Sequence, residues 1–519
     1  MSARSLIVAV LLVLLLNFCA ASLLPTTFYI SSSKGSDGHD GLTPTTPWQS
    51  LERASSTTTT LAPGSSLLLR RGDEWRLTTS WVLSGLLGGG ALPITIGDYA
   101  DDTTVARPRI LRPVGSAAGP TLTIDNSSGV SITGLEIVGG EIGIAFTFDV
   151  KNGLFYDSFV IFDCFFSQIR GLNYNASSGA WWGSAIAFAS AQSGLAQVNG
   201  VIISNNIVND SDTFYKNELP NGGEKWTRAK VYNLLIDSNA ITGVSYNTLF
   251  LDTTAFVNVT RNVFLRNTPS QLFVAGTTDI IMGTLNESVS ITDNEISFRG
   301  EYQPGGPDGC AIDFETNATG VLIARNYISR SYGAGIMVFG HVDGSNQRLN
   351  IINNTMLYNG CLQSRGDQGG IAFMHLGSSG LIAGNTFATC TGTDLFNDKL
   401  DPGMVGWVLT NNAIDHVNST MLDIAEMPVV TSVVGANGGL TVSASTNTSG
   451  AILRFTTDGS KPMITSQIFP ENGLMFSKDF RATSVFVKAF PPTTGGATFN
   501  TTTIYVESAT AGAVFAPSA

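Results

Sequence analysis

The fold class this sequence predicts is all-β: a parallel β-helix, a coil of short strands stacked rung on rung, followed by a smaller β domain. Three observations carry it. Charged residues are only 13% of the 519 and Gly accounts for 56 of them, a balance that suits strands and tight turns better than helices. A short motif of alternating apolar residues ending in Asn recurs through the middle of the chain. Its spacing is irregular, and a coil of strands absorbs such irregularity in surface loops where stacked helices would not.

The chain opens with Arg4, an apolar run from Leu6 to Leu16, and Cys19-Ala20-Ala21 offering small residues for cleavage. Residues 1–21 are therefore expected to be a secretory signal peptide, and no membrane span is expected after its removal. The expected location is secreted, extracellular or at the cell surface. Ten N-x-S/T sequons, candidate N-glycosylation positions, begin at Asn126, Asn175, Asn209, Asn258, Asn286, Asn317, Asn353, Asn418, Asn447 and Asn500. A net charge of −12 and a pI near 4.8 argue against nucleic acid or an anionic membrane as partner. The expected partner is a polysaccharide or glycan, and the chain is expected to be a monomer.

Residues 26–119 are read as an N-terminal cap with the first coils. The stretch FYISSSKGSDGHDGLTPTTPWQSLERA (28–54) gives a strand, a Gly/Asp turn and a short amphipathic helix from about Trp48. A cap is needed because an open coil end exposes apolar side chains and unpaired strands. Asp37, His39 and Asp40 interleave with Gly35, Gly38 and Gly41 and are read as a polar turn, so no metal site is predicted.

Residues 120–425 hold the repeat. It runs VIISNNI (201–207), LLIDSNAI (234–241), VNVTRNVF (257–264), VSITDNEI (289–296), VLIARNYI (321–328), LNIINNTM (349–356), LIAGNTF (381–387) and WVLTNNAI (407–414). Its Asn column is Asn206, Asn239, Asn262, Asn294, Asn326, Asn354, Asn385 and Asn412, in steps of 23 to 33 residues. VSITGLEI (130–137) and FVIFDCFF (159–166) fit the frame with Leu135 and Cys164 in the Asn place, which makes ten candidate rungs. Asn at a fixed bend tolerates a left-handed backbone and can bond its amide to the Asn of the next rung. The expected result is an internal Asn ladder. On these residues the chain resembles the pectate-lyase-like right-handed parallel β-helix superfamily over about residues 28–425, a likeness that implies fold and not chemistry.

Cys361 and Cys390 follow the third strands of consecutive rungs, seven residues past Asn354 and five past Asn385, so stacking predicts a disulfide between them. Cys164, in the ladder place, is expected to be buried and unpaired. Past Pro428 the repeat gives way to short alternating strands at 439–446, 452–462 and 484–492. The segment FTTDGSKP, with VKAF downstream, resembles the chitobiase-type C-terminal β-sandwich over residues 428–507, which implies a glycan context by association; residues 508–519 are a tail.

Each rung also has an earlier strand: NTLFLD (247–252), DIIMG (279–283), AIDFE (311–315), GIMVF (335–339) and GIAFM (370–374). If Leu249, Ile280, Ile312, Ile336 and Ile371 point inward, alternation puts Phe250, Ile281, Asp313, Met337 and Ala372 in one outward column. Asp252, Gly283, Glu315, Phe339 and Met374 fall in the next. In the resembled superfamily this outer face is where polysaccharides bind. Asp313 and Glu315 lie roughly 7 Å apart on one strand face, a spacing that leaves room for water between a general acid and a general base, as inverting glycosidases require. They are the candidate catalytic residues, with Asp308 as a third. Phe250, Asp252, Phe339, His341, Trp181 and Trp182 are the candidate substrate contacts, and His375 occupies a place equivalent to His341.

A polysaccharide hydrolase is therefore the favoured reading. A lyase is the enzymatic alternative; it needs a base beside a uronate carboxylate, for which Lys225, Arg228 and Lys230 form a compact basic group. No cofactor is expected, with calcium entering only under that alternative. The chain lacks the NTD, paired Asp and GHG pattern of polygalacturonases and the DPHD tetrad of alginate epimerases. A non-catalytic glycan-binding or structural β-helix protein is the third reading.

Overall fold

The structure, a computed structural model, describes residues 24–100, 105–113, 119–148, 155–171, 183–190, 196–217, 227–265, 267, 278–297, 309–339, 346–361, 369–374, 377–388, 396–398, 406–414, 429–434, 440–445, 452–456, 467–476, 483–490 and 500–506. The chain winds as a right-handed parallel β-helix with three strand rows. The third row is a separate sheet of 12 strands, from Glu74–Arg76 to Ala413–Ile414. The first and second rows join in one 24-stranded sheet. Register is kept rung to rung; on the inner face of the first row, Leu249 lies over Ile280, then Ile312, Ile336 and Ile371. Stacking like on like lets each apolar residue bury against its copies above and below, which one rung alone cannot achieve.

The N-terminal rungs are filled by aromatics. Phe146 and Phe188 stack at 4.4 Å with rings 7° from parallel, and Phe159 meets both edge-on. Such pairs add about 0.5–1.5 kcal/mol beyond burial. Removing the fully buried Phe188 ring should cost about 3–5 kcal/mol.

The N-terminal segment has a strand at Thr27–Ile30 and a helix at Leu51–Ser55, N-capped by the Ser50 hydroxyl accepting from Arg53 N. Trp48 is buried against Phe28, and Trp75 and Trp81 each donate an indole N–H to a cap carbonyl, of Gln49 and Leu51. Asp37 and Asp40 are turn anchors. Asp37 accepts from the backbone of Gln49 and Ser50 and from the Ser50 hydroxyl, and Asp40 from Leu42 N and Thr46. Among the described residues, no cluster of His, Cys, Asp and Glu could hold a metal.

The Asn ladder is present in full. Asn206 donates its backbone N–H and its Nδ2 to Asn239 Oδ1 at 2.9 and 3.0 Å. The same pair of bonds repeats at every step to Asn412. One expectation is corrected. The left-handed residue is not the ladder Asn but its predecessor: Asn205, Ser238, Arg261, Asp293, Arg325, Asn353, Gly384 and Asn411 have φ between 53° and 64°. The predecessor turns the chain outward, so its side chain meets solvent while the next one enters the core. Arg325 uses that position for a two-pronged ion pair with Asp293 one rung below, at 2.9 and 2.8 Å.

Cys164 takes the ladder place as expected. It is free and 1% exposed, and its backbone N–H donates to Asn206 Oδ1. Burial pushes its thiol up to about 12. Cys361 is disulfide-bonded; its expected partner, Cys390, lies outside the described residues.

A second correction concerns Asn286, which is fully buried. Its Oδ1 accepts from the Thr254 hydroxyl at 2.6 Å and its Nδ2 donates to Leu251 O. The amide is a strut inside the bend between the first and second rows, where a sugar has no room. Asn258, Asn317 and Asn353 are exposed and Asn126 and Asn209 half-buried. Asn175, Asn418 and Asn447 lie outside the described residues.

After the coil, two antiparallel sheets follow. One pairs Val429–Val434, Leu440–Ser445 and Leu474–Phe476, and the other Gln467–Ile468, Ile452–Thr456, Thr483–Phe490 and Asn500–Val506. Val442 of the first and Phe455 and Val487 of the second share one small apolar cluster with Phe469.

Candidate active site

Strand Ile312–Thr319 carries both candidate carboxylates because it continues from the first row into the second without a break. Its inner residues, Ile312 and Phe314, are fully buried in the coil. That fixes Asp313 and Glu315 on the outer side. The outward column reads Lys216, Phe250, Ile281, Asp313, Met337, Ala372. In the neighbouring column Glu315 stands beside Gly283 on one side and Phe339 on the other, whose backbone N–H donates to Phe314 O.

Outward does not mean open here. Asp313 is 1% exposed, Ile281 8% and Met337 2%. Met337 and Ala372 pack with Cys310 and Ala334 in an apolar cluster outside the coil, against which Phe339 and Met374 lean half-buried. Glu315 is half-buried. The two carboxyls thus share a strand face but not an environment, one enclosed beside apolar side chains and one partly open. A carboxylate kept on a strand merely for solubility would be exposed, so burial of Asp313 speaks against that role.

Asp252, expected as a substrate contact, is corrected. It is fully buried, its Oδ1 accepts from Thr284 N at 2.7 Å, and its backbone pairs with the Asn217 side chain. It secures the bend of the next rung. Phe250 and Phe339 are half-buried on the outer face; Phe339 stands beside Glu315, while Phe250 is two rungs from Asp313 with Ile281 between them. Trp181, Trp182, Asp308, His341, His375 and Lys225 lie outside the described residues.

Two features escaped the sequence reading. Lys216, 1% exposed, extends the outward column beneath Phe250. Its strand is only Tyr215–Lys216, too short to show alternation in the sequence. The other is a buried polar junction around Asp212. Its carboxylate accepts from Arg170 Nη1 at 2.9 Å, the Ser245 hydroxyl at 2.7 Å, and the backbone N–H groups of Gly171 and Gly183 at 2.7 and 2.8 Å. One carboxylate thereby ties together the turns of three rungs, a long-range convergence that no local pattern announces.

A right-handed parallel β-helix with a two-carboxylate strand on its outer face is the class of protein defined so far. No protein-family model matches the chain. Over 76 residues it is 36% identical to lacto-N-biosidase of Bifidobacterium longum subsp. longum, a stretch covering 15% of this chain and 5% of that protein's length. The crystal structure of GH136 lacto-N-biosidase from Eubacterium ramulus superposes with a TM-score of 0.52 at 16% identity, covering 76% of this chain and 68% of that one. An alginate lyase from Paenibacillus sp. str. FPU-7 aligns at a TM-score of 0.38 and 13% identity, over 75% of this chain and 99% of its own. The likeness to the Eubacterium ramulus structure shows the fold alone, a parallel β-helix.

Proposed function

We propose that this chain is a secreted, glycan-active protein that hydrolyses a polysaccharide or oligosaccharide at Asp313 and Glu315. The observation that carries the reading is the pairing of a buried and a half-open carboxyl on one outer strand face. Two carboxyls in unlike surroundings suit the two halves of an inverting hydrolysis. One gives its proton to the glycosidic oxygen as the C–O bond breaks, and the other takes a proton from the water that attacks the sugar carbon. Half-buried Phe339 and Phe250 supply faces on which sugar rings can stack. The stretch shared with a lacto-N-biosidase lends weight to a glycan substrate. The two antiparallel sheets after residue 428 fit a chitobiase-type sandwich serving as an accessory unit.

One observation favours a second reading, elimination. Lys216 puts an amine side chain in the same outward column, and a lyase needs a base, here the neutral amine, to take the proton beside a uronate carboxylate. Purified protein incubated with a panel of neutral and acidic polysaccharides separates the two. Reducing ends without ultraviolet absorbance from unsaturated sugars mark hydrolysis, and unsaturated products mark elimination. No product from any substrate, with retained binding, would give the face to a non-catalytic glycan-binding role.

A further inference from the structure

A column of left-handed residues runs up the outside of the second row: Gly129, Ser158, Gly200, Asn233, Phe256, Ser288, Gly320 and Arg348, each opposite the next. Gly, Ser and Asn are ordinary occupants of such a backbone; a bulky aromatic is not. Phe256 has φ +57° and is 54% exposed, so core burial does not offset the unfavourable conformation. A strained, exposed aromatic directs attention to what lies next to it.

What lies next to it is a sequon. Val257 and Val259 point into the core, which leaves Phe256 and Asn258 side by side outside, and Asn258-Val259-Thr260 is an N-glycosylation acceptor. Phe256, Asn258, Asn233, Leu234, Leu235 and Ser288 line one shallow hollow, and Leu235 lies directly opposite Asn258 in register. Two strand residues span roughly 7 Å, a distance across which a sugar ring joined to the Asn258 amide can fold back over the phenyl face. The apolar C–H face and acetyl methyl of such a sugar match Phe256 and Leu235. The other exposed sequons among the described residues lack this neighbour: Glu315 stands two residues before Asn317, and buried Ile351 two before Asn353.

We propose that Asn258 carries an N-linked glycan whose first N-acetylglucosamine packs over Phe256 and Leu235, so that the sugar becomes part of the coil's outer surface. This requires passage through a glycosylating secretory route but not the hydrolase reading, since Asn258 belongs to the second row and Asp313 to the first.

The test uses the full chain secreted from a eukaryotic host. Glycopeptide mass spectrometry should find Asn258 occupied. Trimming the glycan to one N-acetylglucosamine should leave the unfolding midpoint unchanged, while Asn258→Gln should lower it by several degrees. In Phe256→Ala the same Asn258→Gln change should have no further effect. An empty Asn258, whether or not Asn317 and Asn353 are filled, overturns the proposal, as does an equal loss in the Phe256→Ala background. Binding of free chitooligosaccharide to unglycosylated protein, abolished by Phe256→Ala, with Asn258 empty in the secreted chain, would assign the hollow to a separate ligand instead. Activity on the polysaccharide panel is read independently, so the two proposals fail separately.

Discussion

Asp313 and Glu315 are two residues apart in sequence, yet their neighbours divide them. Met337 and Ile281 enclose the first, and Phe339 stands beside the more open second. Glu315→Gln keeps the shape but cannot pass a proton, so activity should fall by about 100-fold or more with the unfolding midpoint unchanged; full activity would remove Glu315 from the chemistry. Elsewhere single residues report on protonation. Burial holds the Cys164 thiol near 12, so it should resist alkylation at pH 8 in the folded chain and react once unfolded. Burial alone would raise Asp37, but bonds from Ser50 and Gln49 and the charge of Arg53 outweigh it and lower its carboxyl. Its stabilising effect on the cap is therefore present at and above the ordinary carboxylate value and is lost as pH falls below it through the lowered value of the folded chain. Asp37→Asn should flatten the acid limb of a thermal unfolding profile. The positions of Asp313 and Glu315 were legible because alternation fixes a face. Their burial was not, because solvent exposure depends on neighbours from other rungs such as Met337 and Ile281.

The bend before each third strand is the element that makes the repeat. A left-handed residue turns the chain and the next, Asn, fills the inside of the turn with one acceptor and two donors. Asn294→Ala would leave the Asn262 backbone N–H and side-chain amide without their shared acceptor inside the core. The expected cost is about 2–4 kcal/mol, the sum of buried groups left unsatisfied, read as a shift in the denaturant midpoint. Arg325→Ala, in the exposed predecessor place, should cost under about 1 kcal/mol. The Asn column was readable because ladder position and residue chemistry coincide. Which residue took the left-handed conformation was not, since Asn, Ser, Arg, Asp and Gly all serve as predecessors. The rungs at Glu74 and Arg109, inside the stretch read as cap and first coils, do not show the Asn motif for a related reason: Asp73 and Pro108 occupy the ladder place there.

Across the whole molecule, length comes from repetition and closure from the cap, with Cys361 in a disulfide late in the coil. Reduction should loosen the C-terminal rungs first, seen as faster amide exchange in residues such as Leu381 and Ile382 while the rungs around Phe188 stay protected. The ladder also gives the molecule a direction. Every step from Asn206 to Asn412 runs from the amide nitrogen of one rung to the amide oxygen of the next. Eight side-chain dipoles therefore point the same way, and each bond polarises the next. Such a chain behaves as one cooperative wire: cutting it at Asn294 or Asn326 leaves two short fragments, while cutting it at Asn412 shortens it by one link. The same substitution should then weigh more in the middle of the protein than at its end.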